Sequence, residues 1–465
     1  MHPIRSACLC AAAVAATGCQ SYTPAPVDVR AHAAEFAERL PDAAAVVAFA
    51  RYLDPAVAPA DADEDAPADS VDLAAARRVA LWFHTGLREA RARLGIAAAQ
   101  ADHAGRLADP VLGVDLERIL ENAAHPWLAA GSLALSVPLT GRPGLEQALA
   151  QGEHARAWTE VRLAEAAVLD DLDRTWVRCT AAGMRVELLQ ELLLRLDELQ
   201  AIADRLAQAQ QITAAAARAF ALERLARAAE LVRAEADAAD ADAHRNELLG
   251  LPPERALAFA PRLQLELRTA PDGDRDAWLE HGPRTARRTA EHRIAEHALE
   301  LEVAKQWPDL ELAPGFGEED AEPRALLGLR LPLPLWNGNA EGIARARAAR
   351  IAAATALRAD VERALHELRR ADRRVAAARA ERELIETELV PLAAQQLQDG
   401  RRLAELGQLD PLLILDGLSR AHAARMALLD AAVAEAEATA AHNALFWPEP
   451  EPAPTAENPP AEDHR

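Results

Sequence analysis

Aromatic residues are scarce in this chain, 4% of 465 positions, with seven Phe and two Tyr beside eight Trp. Large side chains of that kind dominate big compact cores, so one large globular core is a poor fit. Cysteine is nearly absent too. Of the four, Cys8 and Cys10 fall in the leading segment, leaving Cys19 and Cys179, which excludes a disulfide framework. Cys179 is expected to be a buried helix residue. Past the start, no apolar run approaches the roughly 20 residues a membrane helix needs, so any crossing must be by strands. Positive charge is in deficit, 51 Lys and Arg against 73 Asp and Glu, for a formal charge of −22. The acids are spread along the chain and no basic face forms, which argues against nucleic acid as a partner. Catalytic signatures are missing as well: there is no G-x-S-x-G, P-loop, H-E-x-x-H or CxxC. Gly315-Phe316-Gly317 lacks the context of a nucleotide loop. His292 and His297, five apart, lie on different helix faces with no ligand cluster near them. No enzyme activity, cofactor or metal is expected.

What the chain does have is alanine with Leu, Glu and Arg, the material of long packed helices. It also repeats itself. SLALSVPLTGRPG, 132 to 144, returns about 196 residues later as GLRLPLPLWNGNAEG, 328 to 342, each time heading a long helix. Before these lies an export signal: Arg5, a short apolar stretch from Ser6 to Ala16, then Ala16-Thr17-Gly18-Cys19. A small-small-Cys ending is similar to a lipoprotein cleavage box, which would make Cys19 the acylated first residue. Gln20 follows it, which leans toward the outer membrane.

Residues 61 to 70, DADEDAPADS, are an acidic linker after a short helical candidate at Pro41 to Leu53. From Val71 to Leu107 apolar positions recur at helical spacing until Asp109-Pro110. Two strand pairs follow by alternation, Val111 to Ile119 with Gly131 to Leu139, and a segment from Leu310 to Phe316 with Leu327 to Leu335. In each, one face is apolar and the other polar or small. Asp115, Glu117, Glu311 and Arg330 fall on the polar face and are candidate lumen residues, with acids favouring cations. Trp127, near the outer loop, and Trp307 and Trp336, at the opposite ends, are candidates for an aromatic girdle. Gly144 to Ala207 and Glu341 to Pro391, continuing toward Leu406, are nearly free of helix breakers; about 64 residues make a rod of roughly 95 Å. Each meets an ascending partner, Thr213 to Gly250 and Pro411 to Phe446, so αα-hairpins are predicted twice. Four strands close no conducting barrel, and an open edge cannot face lipid; three copies would supply twelve strands.

In order and spacing, the duplicated strand-to-helix junctions, LLGLPP after the first hairpin and LPLPLWNGN before the second resemble the outer membrane efflux protein family, the TolC-like channels, over roughly 71 to 446. The resemblance implies a mainly α fold with membrane β, in which a homotrimer forms a twelve-stranded outer-membrane barrel, touching outer-membrane lipid, above a periplasmic helical tunnel. Its tips would dock a periplasmic membrane-fusion adaptor and an inner-membrane efflux pump, making the chain a passive exit duct. ELGQLDPLLILDG, 405 to 417, is similar to the family's second tip, with Gly407 as turn glycine and Asp416 as gate residue. A second family acid is replaced by Leu413, and Asp410 before Pro411 suits the N-cap of the ascending helix. At the first tip the family's glycine is absent and Gln210-Gln211 stand in its place. The expected organisation is a signal peptide at 1-18, a lipid-anchored tether at 19-70, the first repeat at 71-256, a connector at 257-285, the second repeat at 286-446 and an acidic Pro-rich tail at 447-465. The other reading is a non-conducting periplasmic helical-hairpin lipoprotein, an adaptor or scaffold.

Overall fold

A computed structural model of the chain describes residues 22–42, 44–53, 71–118, 120, 127–268, 278–280, 282–319, 322–405 and 411–446. The signal segment, Cys19, the linker 54–70, the second tip with Gly407 and Asp410, and the tail 447–465 lie outside the described residues. The chain divides into two units, residues 1–40 and 41–465. In the first, helix α1 (Val29–Ala37) begins at Asp28, whose carboxylate accepts from the Arg30 and Ala31 N–H groups.

The second unit opens with α2 (Ala44–Leu53), α3 (Leu73–Phe83) and α4 (Thr85–His103). The helical spacing of Val71 to Leu107 does not by itself mark a boundary inside the run. In the structure the run breaks at His84, where ψ is 126°, and ends at His103. The break lets α3, through Leu73, Val79 and Ala80, and α4, through Leu87, enter one buried cluster.

Four strands form one antiparallel sheet in sequence order: β1 (Val111–Arg118), β2 (Trp127–Val137), β3 (Leu310–Glu319) and β4 (Glu322–Arg330). The two repeats meet at the β2–β3 pair. β4 corrects the sequence reading. Alternation predicts a strand reaching Leu335, yet it starts at Glu322 and stops at Arg330. Pro332 and Pro334 carry no N–H for a ladder, so the alternating leucines beyond Arg330 continue without pairing.

The helices are long because little interrupts them. α5 (Arg142–Gln208) runs for 67 residues, about 100 Å, and turns into α6 (Ala214–Leu248). After α7 (Pro283–Ala304), α8 (Ala340–Leu384) passes through one π turn, Ile385–Leu389, into α9 (Val390–Glu405). Pro391 explains that turn: it has no N–H to give, and the wider turn, closed by Val390 N–H to the Ile385 carbonyl, absorbs its ring. α10 (Pro411–Asn443) packs back against α9 and α8 and ends in the 3₁₀ turn Ala444–Phe446. The hairpins α5–α6 and α8/α9–α10 are therefore both present.

The main core lies where α3, α4, α5 and the end of α6 meet. Trp176 is fully buried there among Val168, Leu172, Leu249 and Leu251. Its indole N–H donates to the Ala260 carbonyl at 3.0 Å, and Phe259 meets its ring edge-on at 5.4 Å. Arg77 clamps Asp173 through two hydrogen bonds of 2.9 and 2.5 Å, fixing α3 on α5. Cys179 is buried as expected; burial pushes its thiol up to about 11, and it donates to the Ala241 carbonyl.

Candidate channel wall and tunnel entrance

Register assigns each strand residue to a face. Leu112 pairs with Leu133, Leu135 with Leu312, and Leu312 with Leu329, so these share one face with Val114, Leu116, Phe316 and Leu327. That face is bare: Leu112 is 72% exposed and Leu327 75%. On a monomer in water such a patch is costly, and it marks a surface made for lipid or protein.

The opposite face carries Asp115, Glu117, Glu311 and Arg330 together. Asp115 pairs with Ala130, Ala130 with Gly317, and Gly317 with Arg324, so one row crosses all four strands. Ser136, Glu311 and Arg330 form another, in which Arg330 donates to Glu311 at 3.0 Å. Between them lies the row Gly113, Ser132, Gly315 and Leu326, in which the Ser132 hydroxyl occupies the place a Gly113 side chain would take. Arg324 is a charge on this face that the alternation of a strand starting at Leu327 left out. Trp127 opens β2 on the apolar face, where Arg118 lies 5.5 Å over its ring. Trp307 precedes β3 and Trp336 follows β4, both exposed at the other end of the sheet.

Below the sheet, the two duplicated turns are anchored at one place. Arg142, in TGRPG, donates to Asp309 just before β3 at 2.6 Å. Asn339, in WNGN, donates to the Glu302 backbone carbonyl and carboxylate at 2.8 and 2.7 Å. Hydrogen bonds from Lys305 and Asn339 hold the Glu302 carboxyl below its usual range. Both motifs thus grip the segment joining α7 to β3. Spacing within either motif gave no hint of this, because the partners lie outside both.

The first tip forms a tight turn without its glycine. Gln210 takes φ 59°, the Gln210 N–H bonds the Ala207 carbonyl, and the Gln211 N–H bonds Leu206 at 2.9 Å. This is a glycine-type helix end made by glutamine. Thr213 then caps α6 by accepting from Ala216 N–H. A left-handed residue with a Cβ is strained, so Gln210→Gly is expected to stabilise the turn by about 0.5–1 kcal/mol. Slower amide exchange at 206–213 would register it.

At the second tip the described residues begin with Pro411. Asp416 sits one turn into α10, exposed, and accepts from Arg420 at 2.8 Å. That partner on the same helix screens its charge. Leu415 and Leu418 on α10 pack against Leu196 and Leu199 of α5, so this end of the two hairpins is held by apolar contact. Higher up, polar links join α10 to the first hairpin: Ser419 to Glu223, Arg425 to Glu191, Asp430 to Arg185 and Glu437 to Arg178. Among the described residues no group of His, Cys, Asp and Glu is arranged to hold a metal ion. No described helix is long and apolar enough to cross a membrane.

No family model and no curated protein matches the sequence. Solved structures do match. The outer-membrane channel OprN is 18% identical, with a TM-score of 0.70 over 80% of this chain and 89% of its own. The outer membrane protein VceC of Vibrio cholerae is also 18% identical, with a TM-score of 0.68 over 80% and 95%. The CmeC outer membrane channel of Campylobacter jejuni is 14% identical, with a TM-score of 0.69 over 80% and 85%. The chain has the fold of these outer-membrane proteins: long helices joined to a four-stranded sheet.

Proposed function

From that fold we propose that the protein is the outer-membrane exit channel of a tripartite export system, a passive conduit opened by a periplasmic adaptor and an inner-membrane pump. The observation that supports this most is the sheet. Its strands are all antiparallel, one face is apolar and bare, and among the described residues β1 and β4 leave their edges open. In lipid an unpaired edge costs several kcal/mol per group, so further copies must complete it. Three copies give an even twelve strands, with lipid outside and a wet lumen inside. A hairpin scaffold in the periplasm would gain nothing from such a face. Helices of about 100 Å continue from the barrel as the tunnel. In this reading Trp127, Trp307 and Trp336 lie in the two interfacial girdles, Cys19 anchors the chain by lipid, and Asp416 lines the entrance.

Asp115, Glu117, Glu311, Glu319 and Glu322 against Arg324 and Arg330 leave the polar face acidic. Cations are favoured. The test is single-channel conductance of the detergent-extracted protein in a planar bilayer, with oligomeric mass measured first. A trimer with small, cation-favouring openings, enlarged by Asp416→Ala, is the expected result. A monomer that never conducts would overturn the proposal.

A further inference from the structure

The two open edges of the sheet carry opposite charge on the same face. On β1 the polar-face acids are Asp115 and Glu117; on β4 the polar-face bases are Arg324 and Arg330. All four are exposed. Asp115 and Arg324 stand at the two ends of one row. Three antiparallel steps separate β1 from β4, so the two edges run in opposite directions, and a joint of β4 with β1 of another copy is antiparallel like every pair within the chain.

We propose that these edges recognise each other between copies of this chain, the basic β4 edge of one against the acidic β1 edge of the next, and that the charges select both the direction and the register of the joint. This rests on the channel reading above and adds what specifies its assembly. A joint of like edges, β1 to β1 or β4 to β4, would set acid against acid or base against base, which is destabilising for directly opposed side chains. Head-to-tail joining avoids that and closes into a ring. Register follows from the same charges. Glu117 pairs with Leu128, Ala129 with Glu318, and Glu319 with Glu322, so Glu322 of β4 lies in the row of Glu117. A joint continuing the rows straight across would place these two acids side by side. The same straight joint would set Arg324 beside Asp115, so the stagger required to close a barrel gives up that pair, removes the clash of acids and lets Arg330 stand level with Asp115 or Glu117. Arg330 suits the role: its side chain is 81% exposed while it holds Glu311, which leaves donors facing outward.

The experiment uses the full chain in detergent, with oligomeric mass as readout. Asp115→Arg with Glu117→Arg, or Arg324→Glu with Arg330→Glu, is expected to lower the ratio of trimer to monomer at least about tenfold, and all four changes together to restore it. A second measurement does not depend on the reversed variants folding. Asp115→Cys and Arg330→Cys in one chain lie three strands apart and six residues along the strand from a shared row, about 25 Å, so a short bis-maleimide that gives covalent dimers and trimers has bridged copies. Reversal that leaves the trimer unchanged, a quadruple variant no better than its parents, or no crosslink in a wild-type trimer would overturn the edge assignment and leave the channel reading standing. A wild-type chain that is monomeric throughout would overturn the channel reading itself.

Discussion

Trp176→Ala is expected to lower stability by about 4 kcal/mol, the larger of the single-residue effects considered. Trp176 has no exposed surface and sits where α3, α4, α5 and the end of α6 converge. Truncation leaves a cavity the size of an indole, and large-to-small changes of this kind cost about 3–5 kcal/mol. It also strips the Ala260 carbonyl of its donor, held at 3.0 Å and half-buried, and a lost hydrogen bond of this kind costs about 0.5–1.5 kcal/mol. Trp176→Phe weighs the two, since it keeps most of the volume and the aromatic ring but loses the N–H and part of the packing. Loss of helical circular dichroism on urea titration should shift far for Ala and modestly for Phe. Equal shifts would mean the hydrogen bond, and not packing, is what Trp176 supplies. The contact matters for the proposed duct because Val71 and Phe259 form a parallel bridge beside the indole. It ties the segment entering the first repeat to the connector leaving it.

Much of this architecture is visible in the sequence because long helices and alternating strands write their period into it. The near absence of helix breakers carries α5 and α8 almost to their ends, and Thr213 and Gly250 bracket α6 by cap chemistry. The second β pair misleads, because LLGLRLPLPL alternates further than it can pair; prolines leave the period intact and take away the ladder's donors. One extension of the duplication goes unseen. Asn246 closes α6 by donating to the Arg255 carbonyl at 2.9 Å, and Asn443 closes α10 by bonding Glu266 and Arg268 at 2.7 Å each. Both asparagines end the ascending helix of their repeat and hold irregular backbone. RNELLG and HNALFW share little but that residue, so nothing local marks the pair. The anchors Arg142–Asp309 and Asn339–Glu302 stay hidden for a similar reason, since each joins segments distant in sequence. The polar face of the sheet is legible up to the true start of β4, and Arg324 lies before the alternation begins to look like a strand.

Gly250→Ala is expected to cost about 3 kcal/mol, although it adds a single methyl. Gly250 ends α6 at φ 63°, with its N–H bonded to the Glu247 carbonyl and the next N–H, of Leu251, bonded to Asn246. An L-residue in that conformation costs about 1–2 kcal/mol. Space is the second charge against alanine, because a Cβ there would lie 2.5 Å from the Phe83 oxygen and 2.8 Å from its carbonyl carbon. Backbone cannot swing aside as a side-chain tip can, so α3 or the turn must shift, a strain of about 1–3 kcal/mol. Gly338 provides the comparison: φ is 48° and nothing lies within 4 Å of its Cβ position. Gly338→Ala should therefore show the conformational part alone, about 1–2 kcal/mol. Thermal unfolding of both variants beside wild type decides the matter. Equal losses would mean that α3 yields freely, and that the wall formed by Phe83 contributes nothing. A larger loss at Gly250 would place α3 as a rigid brace against the end of the first hairpin.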